Sequence, residues 1–253
     1  MILFLVFFVY LVWTFPHGNI TLIMSGVLFY ILYFLFLLWY YNASFPINSK
    51  NPVRYFELKN TLVSIVLYIC IIFWLFYLVE RWYIVFNYSI WWYLIPYTIG
   101  LIFYHDAFFY FSHRCMHHPV LYWYGHAEHH KSHTPNYMSW YSFGILEAFI
   151  YVITVIPIFF IPLNLFALLW AVFANDFVTI IGHSWKEIFP KKYKNTRFYK
   201  CIVNATFHDI HHTHNNWNYA AYFLFWDKLF WTYSPSYDEV FTHIKRNHEY
   251  LEK

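Results

Sequence analysis

Apolar residues in this chain fall in long uninterrupted runs rather than in a strand-like alternation or a narrow helical stripe. The runs extend from about Met1 to Phe15, Ile20 to Tyr41, Leu62 to Leu78, Ile90 to Phe111 and Phe143 to Ile181. A bilayer core of roughly 30 Å takes about 20 helical residues, so the second, third and fourth runs each predict one membrane-crossing helix. The fifth is long enough for a helical hairpin. Pro157, Pro162 and Asn164 mark its tip, because proline removes an amide donor and restricts the residue before it. Met1 to Phe15 contains no Lys or Arg and so lacks the basic start of a secretory signal; it reads as a short or tilted span. The expected fold is all-α, a polytopic membrane helix bundle with a cytoplasmic helical cap. One integral membrane domain covers 1–253, with spans over 1–104 and a catalytic region over 105–253 that includes the hairpin at about 143–181.

Charges in the connections orient this array. Asn42 to Asn60 holds Lys50, Arg54 and Lys59, whereas Glu80 and Arg81 offset each other in the next connection, so the positive-inside rule places the former in the cytoplasm. The polar segments after the fourth run and after the hairpin then share that face. This implies a multi-pass protein of the endoplasmic reticulum in a eukaryote or of the inner membrane in a bacterium.

Composition agrees: 60% of residues are hydrophobic, 27% aromatic and only 11% charged, too apolar for an ordinary soluble domain. The three cysteines, Cys70, Cys115 and Cys201, are far apart and suggest neither a disulfide framework nor a thiolate zinc site. The formal charge is only +3, and its basic residues gather late, at Lys186, Lys191, Lys192, Lys194, Arg197 and Lys200. Such a run suits anionic headgroups better than nucleic acid.

Histidine changes the picture. Twelve of the sixteen histidines lie in two windows, eight from His105 to His133 and four from His208 to His214. Within them stand HRCMH (His113 to His117), HAEHH (His126 to His130) and HDIHH (His208 to His212), whose members sit three or four residues apart and share a helix face. As satisfied core residues, eight such histidines would need eight separate hydrogen-bond partners in a crowded region. Metal ligation is therefore the reading for His113, His117, His126, His129, His130, His208, His211 and His212. His183, at the end of the returning hairpin, can reach the same place. His105, His118, His133 and His214 lie beside the boxes but outside their spacing, and His17, His243 and His248 are isolated. Asp106 and Asp176 each precede a histidine, His113 and His183, by two helical turns. Each could bond a ligating imidazole from behind and fix its tautomer, or pair elsewhere.

The chain has no Glu-x-x-His, no HExxH, and too many histidines within five residues for simple axial haem ligation. Eight to ten imidazoles suit two metal ions close together. Two irons with open positions can reduce dioxygen, and a membrane setting makes a lipid C–H bond the natural target.

The order HRxxH, HxxHH, apolar hairpin ending in His, then HxxHH resembles the fatty acid hydroxylase and sterol desaturase superfamily of membrane di-iron oxygenases. The resemblance runs from about Asp106 to Tyr233. HSWKEIFP (His183 to Pro190) and FHDIHHTHNNWNYAAYFLFWDKLFWTY (Phe207 to Tyr233), with the pair Trp226–Asp227, are most similar to the sterol hydroxylase and 4-methyl sterol oxidase branch, which includes cholesterol 25-hydroxylase. It implies a cytoplasmic di-iron site with the eight box histidines, and His183 with them, as ligands. The segment SFGILE (Ser142 to Glu147) departs from the pattern: Gly144 and Ile145 stand where many relatives carry His-Pro, while Glu147 is retained.

The expected activity is a dioxygen-dependent lipid or sterol monooxygenase (hydroxylase), with a desaturase using the same site as the alternative and a metal transporter or storage protein as the reading from another class. Two iron ions are the expected cofactors, with zinc able to substitute in isolated protein. Hydroxylation draws two electrons from outside. The six glycines form no dinucleotide-binding loop, so a separate donor of cytochrome b5 or ferredoxin type is implied, alongside a lipid or sterol substrate entering from the membrane. Trp140, Tyr141 and Trp217 are candidate substrate contacts among many aromatics.

Overall fold

A computed structural model describes residues 53–81, 91–136, 138–155, 164–184 and 196–242, with isolated positions at 32, 35, 36, 187 and 189. The first apolar run, all but three positions of the second, the prolines of the hairpin tip, most of the late basic run, and His17, His243 and His248 lie outside this set. Among the described residues the fold is helical. The sole β feature is an isolated bridge between Ile202 and Phe223.

Four longer helices carry the architecture: α1 (Tyr55–Glu80), α2 (Leu94–Met116), α5 (Ile145–Val155) and α6 (Leu165–Gly182). Between α2 and α5 lie α3 (Pro119–Leu121), a π turn (Tyr122–His126) and α4 (Ala127–His130). After α6 come α7 (Ala205–Thr213) and α8 (Phe225–Leu229). The third and fourth apolar runs fall within α1 and α2, and the predicted hairpin contains α5 and α6. Asn164 begins α6 as its N-cap, its side chain accepting from Ala167 N at 3.1 Å. Among the described residues no helix is long and apolar enough to cross a membrane; in α1 the side chains of 72, 73, 75, 76, 79 and 80 are outside that set.

Connections gather at one end of the four helices. The start of α1 is tied there by Arg54, whose Nη1 donates to the Lys131 carbonyl at 2.7 Å, and by buried Glu57, which accepts from Ser132 Oγ at 2.6 Å and from Asn136 Nδ2. α2 and α6 end at the same place, packed together through Leu101 and Ala167. The carboxy-terminal segment is clamped onto α2 by buried Tyr110, Phe207, Ile210, Leu224 and Phe241. Asn204 caps α7 by accepting from Phe207 N at 3.0 Å, and Glu187 accepts from Thr206 N and Oγ1, so α7 is held firmly at its first turn.

Candidate metal centre

Nine buried or partly buried histidines meet at the gathered end, and they form two adjoining groups. Ligand atoms of His113, His117, His126, His130 and His211 lie within 4.8 Å of one another, as do those of His129, His183, His208 and His212. Helix geometry sorts them. In HAEHH, His126 and His130 are four residues apart and enter the group of five, while His129 is turned into the group of four. HDIHH does the reverse: His208 and His212 serve the group of four and His211 crosses to the other. The second and third boxes thus contribute to both groups and hold them side by side, while His113 and His117 of the first both enter the group of five; the rings of His130 and His212 are 4.7 Å apart. The π turn that ends at His126 widens the backbone where the second box begins, a common device at functional sites.

The outer nitrogens are held from behind. His113 Nδ1 donates to the Tyr219 carbonyl at 2.9 Å, His211 Nδ1 to the Trp217 carbonyl at 2.8 Å and His183 Nδ1 to the Thr179 carbonyl at 2.9 Å. His126 Nδ1 lies 2.8 Å from Glu147 Oε1, both side chains fully buried. A carbonyl only accepts, so Nδ1 carries the hydrogen in His113, His183 and His211; with Glu147 ionised the same holds for His126. Their Nε2 atoms are then bare lone pairs.

Those lone pairs face one another. His113 Nε2 is 2.9 Å from His126 Nε2, which is 3.0 Å from His130 Nε2; His208 Nε2 is 3.2 Å from His183 Nε2 and 3.0 Å from His212 Nε2. With Glu147 ionised, neither His113 Nε2 nor His126 Nε2 has a hydrogen to offer, and that contact is repulsive unless a cation sits between them. With metal–nitrogen bonds of roughly 2.1 Å, neighbouring ligand atoms stand about 3 Å apart, the spacing found here. His117 Nδ1 and Nε2 and His211 Nε2 are buried with no hydrogen-bond partner. The donor set fits a metal pair.

Burial sets the electrostatics. Desolvation, reinforced by neighbouring imidazoles, holds His113 down to about 4 and His117 to about 2; desolvation alone lowers His183 to about 4. His126, His129, His130, His208, His211 and His212 are pushed well below the ordinary value for the same two reasons. All nine rings are neutral at pH 7, the form that binds metal.

The neighbouring histidines do other things. His118 caps α3, its Nδ1 accepting weakly from Val120 N at 3.4 Å, while His133 and His214 are exposed. His105 faces a cavity instead of the metal groups. Asp106 does not bond a ligating imidazole: it accepts from Tyr222 N at 2.8 Å, Phe223 N at 3.4 Å and Trp226 Nε1 at 3.0 Å. Its carboxylate thus anchors the segment after α7 to α2. Seven residues of helix also set Asp106 about 10.5 Å along the axis from His113, beyond the reach of a hydrogen bond. Asp176 accepts from Asn175 Nδ2 at 3.3 Å. Asp227 accepts from Tyr219 N and Ala220 N, both at 2.8 Å, and so places the carbonyl that holds His113.

Glu147 is the site residue that box spacing misses. Its approach depends on Gly144, where an added Cβ would stand 2.7 Å from the Gly125 carbonyl oxygen. The glycine lets the start of α5 lie directly on the π turn, which brings Glu147 to His126. The departure of SFGILE from the expected His-Pro therefore has a local use in this chain.

A cavity of about 320 Å³ opens from the histidines between α1, α2, α5 and α6. Its walls include Trp74, Leu101, Phe109, Trp140, Tyr141, Phe143, Val152 and Leu168, and His113, His129, His183 and His208 form its histidine end. Trp140 and Tyr141 are thus cavity residues, whereas Trp217 contributes its carbonyl to His211.

A sequence model described as fatty acid hydroxylase matches residues 98–232, more than half of the chain. The chain belongs to this family. It is 33% identical over 150 residues to methylsterol monooxygenase 1 of Gallus gallus, covering 56% of this chain and 47% of that protein. Delta(7)-sterol 5(6)-desaturase of Leptosphaeria maculans is 26% identical over 149 residues, 58% of this chain and 38% of that one. A very-long-chain aldehyde decarbonylase of Oryza sativa subsp. japonica is 28% identical over 144 residues, 54% and 23% of the two chains. The aligned part spans about half the length of the methylsterol relatives or less. No solved structure gives a significant match.

Proposed function

We propose that this family member is an integral membrane, non-haem di-iron oxidoreductase that uses dioxygen to hydroxylate a C–H bond of a sterol or related lipid. The observation that carries the reading is the pair of imidazole groups at the end of an apolar cavity. His113, His117, His126, His130 and His211 hold one iron, and His129, His183, His208 and His212 the other. Bound there, two irons supply dioxygen reduction and C–H oxidation.

The chain's own residues do the rest. Carbonyls of Tyr219, Trp217 and Thr179, with the Glu147 carboxylate, keep four imidazoles in the tautomer whose Nε2 points inward. The aromatic walls exclude water and present one substrate carbon to the histidine end. Two external electrons per turnover come from a separate carrier, a cytochrome b5 or ferredoxin. Exposed Arg197 and Lys200 offer a basic contact for it or for anionic headgroups. Membrane residence is supported by large apolar side chains exposed on all four long helices, among them Val66, Trp74, Ile95, Phe103, Ile153, Trp170 and Phe177. The site then lies on the cytoplasmic face. A transport role is disfavoured because both groups sit at one end of the helices rather than midway along a path.

Mass spectrometry of lipids from cells expressing the chain or its His211→Ala variant, under labelled dioxygen with sterol supplied, tests the reading. A metal-dependent product carrying one labelled oxygen is expected. Loss of two hydrogens without label would replace hydroxylation by desaturation. No lipid change in fully metallated protein with a competent donor would overturn both.

A further inference from the structure

Between the histidine groups and an apolar stretch at Leu101 and Leu168 the cavity wall carries a polar patch, and its hydrogen-bond directions can be worked out. Asp176 Oδ1 lies 3.3 Å from Asn175 Nδ2, and a carboxylate only accepts, so the Asn175 amide points its nitrogen at Asp176. Asn175 Oδ1 then faces Tyr222, whose hydroxyl donates to it at 2.9 Å. With its hydrogen spent, the Tyr222 oxygen can only accept from His105 Nδ1, also at 2.9 Å. The hydrogen of His105 therefore sits on Nδ1, and its Nε2 is a bare acceptor. All four residues line the cavity.

The spacing to the histidine groups repeats on two helices. His105 precedes His113 by eight residues on α2, and Asn175 precedes His183 by eight on α6, about 12 Å in each case at 1.5 Å per residue. Tyr222 bridges the two helices at that level.

Resting on the oxidase reading, we propose that His105, held by Tyr222 and Asn175, is the binding site for the hydroxyl of a lipid alcohol of sterol length. The alcohol donates to His105 Nε2 and the molecule lies along the cavity. The carbon brought to the histidine groups is therefore about 12 Å from the hydroxyl, the far end of a sterol nucleus and not a carbon beside the hydroxyl. His105 is a specificity-determining residue, and Tyr222 and Asn175 position it.

Equilibrium binding of radiolabelled cholestanol and of cholestane, its counterpart without the hydroxyl, to the metallated full chain in lipid nanodiscs tests the site without turnover. The wild type should bind the alcohol roughly tenfold more tightly than the hydrocarbon, the worth of about 1.4 kcal/mol. His105→Phe should erase the preference, and Tyr222→Phe should weaken it, with metal content and cholestane binding unchanged in both. Equal binding of the two lipids by the wild type, binding of neither, or a preference surviving His105→Phe would overturn the proposal. Under labelled dioxygen with a competent electron donor added, product oxygen on the side-chain half of cholestanol is expected, and oxygen on a carbon adjoining the hydroxyl would overturn it. An alcohol preference with neither an oxygenated nor a desaturated product would instead sink the oxidase reading and leave this site standing.

Discussion

The two histidine groups share the second and third boxes, yet they meet the rest of the protein differently. In the group of five, His113, His126 and His211 are each held from behind by Tyr219, Glu147 and Trp217, and only His113 reaches the cavity. In the group of four, His129, His183 and His208 all line the cavity. A catalytic metal keeps a coordination position open, whereas a closed ligand set serves structure and electronic tuning. On the proposed reading the group of four takes the substrate-facing position and the group of five has the more rigid support.

Removing a ligand should separate the groups most sharply. His208→Ala leaves three imidazoles on the open side and should abolish turnover, a loss of roughly 100-fold or more, beyond the range expected for outer partners. His117→Ala leaves four on the closed side and should retain more metal; metal analysis and product yield of the two variants check the order. Next in size is Glu147→Gln, which keeps shape but removes the carboxylate behind His126, with an expected 10- to 100-fold loss, roughly, in metal affinity or activity by titration with ferrous iron.

Acid should act on both groups. His113 and His183 titrate near 4 in the folded metal-free chain, below the ordinary value of 6.5, so the unfolded chain takes up protons first as pH falls. Stability is therefore full above about 6.5 and declines between 6.5 and 4, with metal release over the same window. Thermal unfolding of the metal-free protein at pH 7.5 and 5 should show a midpoint lower by several degrees at the acid pH. Gly144→Ala should cost about 1–3 kcal/mol, because its Cβ meets the Gly125 carbonyl and pushes α5 from the π turn. The smallest effect is expected from His118→Ala, about 0.5 kcal/mol from loss of a weak cap, with metal content unchanged. Equal metal loss in His118→Ala and His208→Ala would erase the distinction between box ligands and their neighbours.

Much of the site could be read from residue type and spacing, because imidazoles at i, i+3 and i+4 advertise both chemistry and helix face. Eight of the nine histidines brought together in the two groups are nameable that way and His183 by its place at the end of the hairpin, while the long helices follow from the apolar runs. What spacing could not supply was the support. Three ring nitrogens are held by backbone carbonyls, which any residue type offers, so Tyr219, Trp217 and Thr179 carry no signal. Glu147 is 21 residues from His126 and arrives through the Gly144 approach, a tertiary contact. Asp106 shows the limit of periodicity: two turns put it on the face of His113 but about 10.5 Å along the axis, and of its two readings it takes the second, bonding the backbone of Tyr222 and Phe223. The division of the second and third boxes between two groups follows from helix geometry once the opposing helices are in place.

The central claim is a metal pair held by nine histidines. Plasma mass spectrometry of the full chain, reconstituted with ferrous iron without oxygen and freed of loosely bound metal, measures it directly. About two irons per chain are predicted, falling to about one in His208→Ala. About one iron or fewer in the intact chain, unchanged by that substitution, would contradict the account.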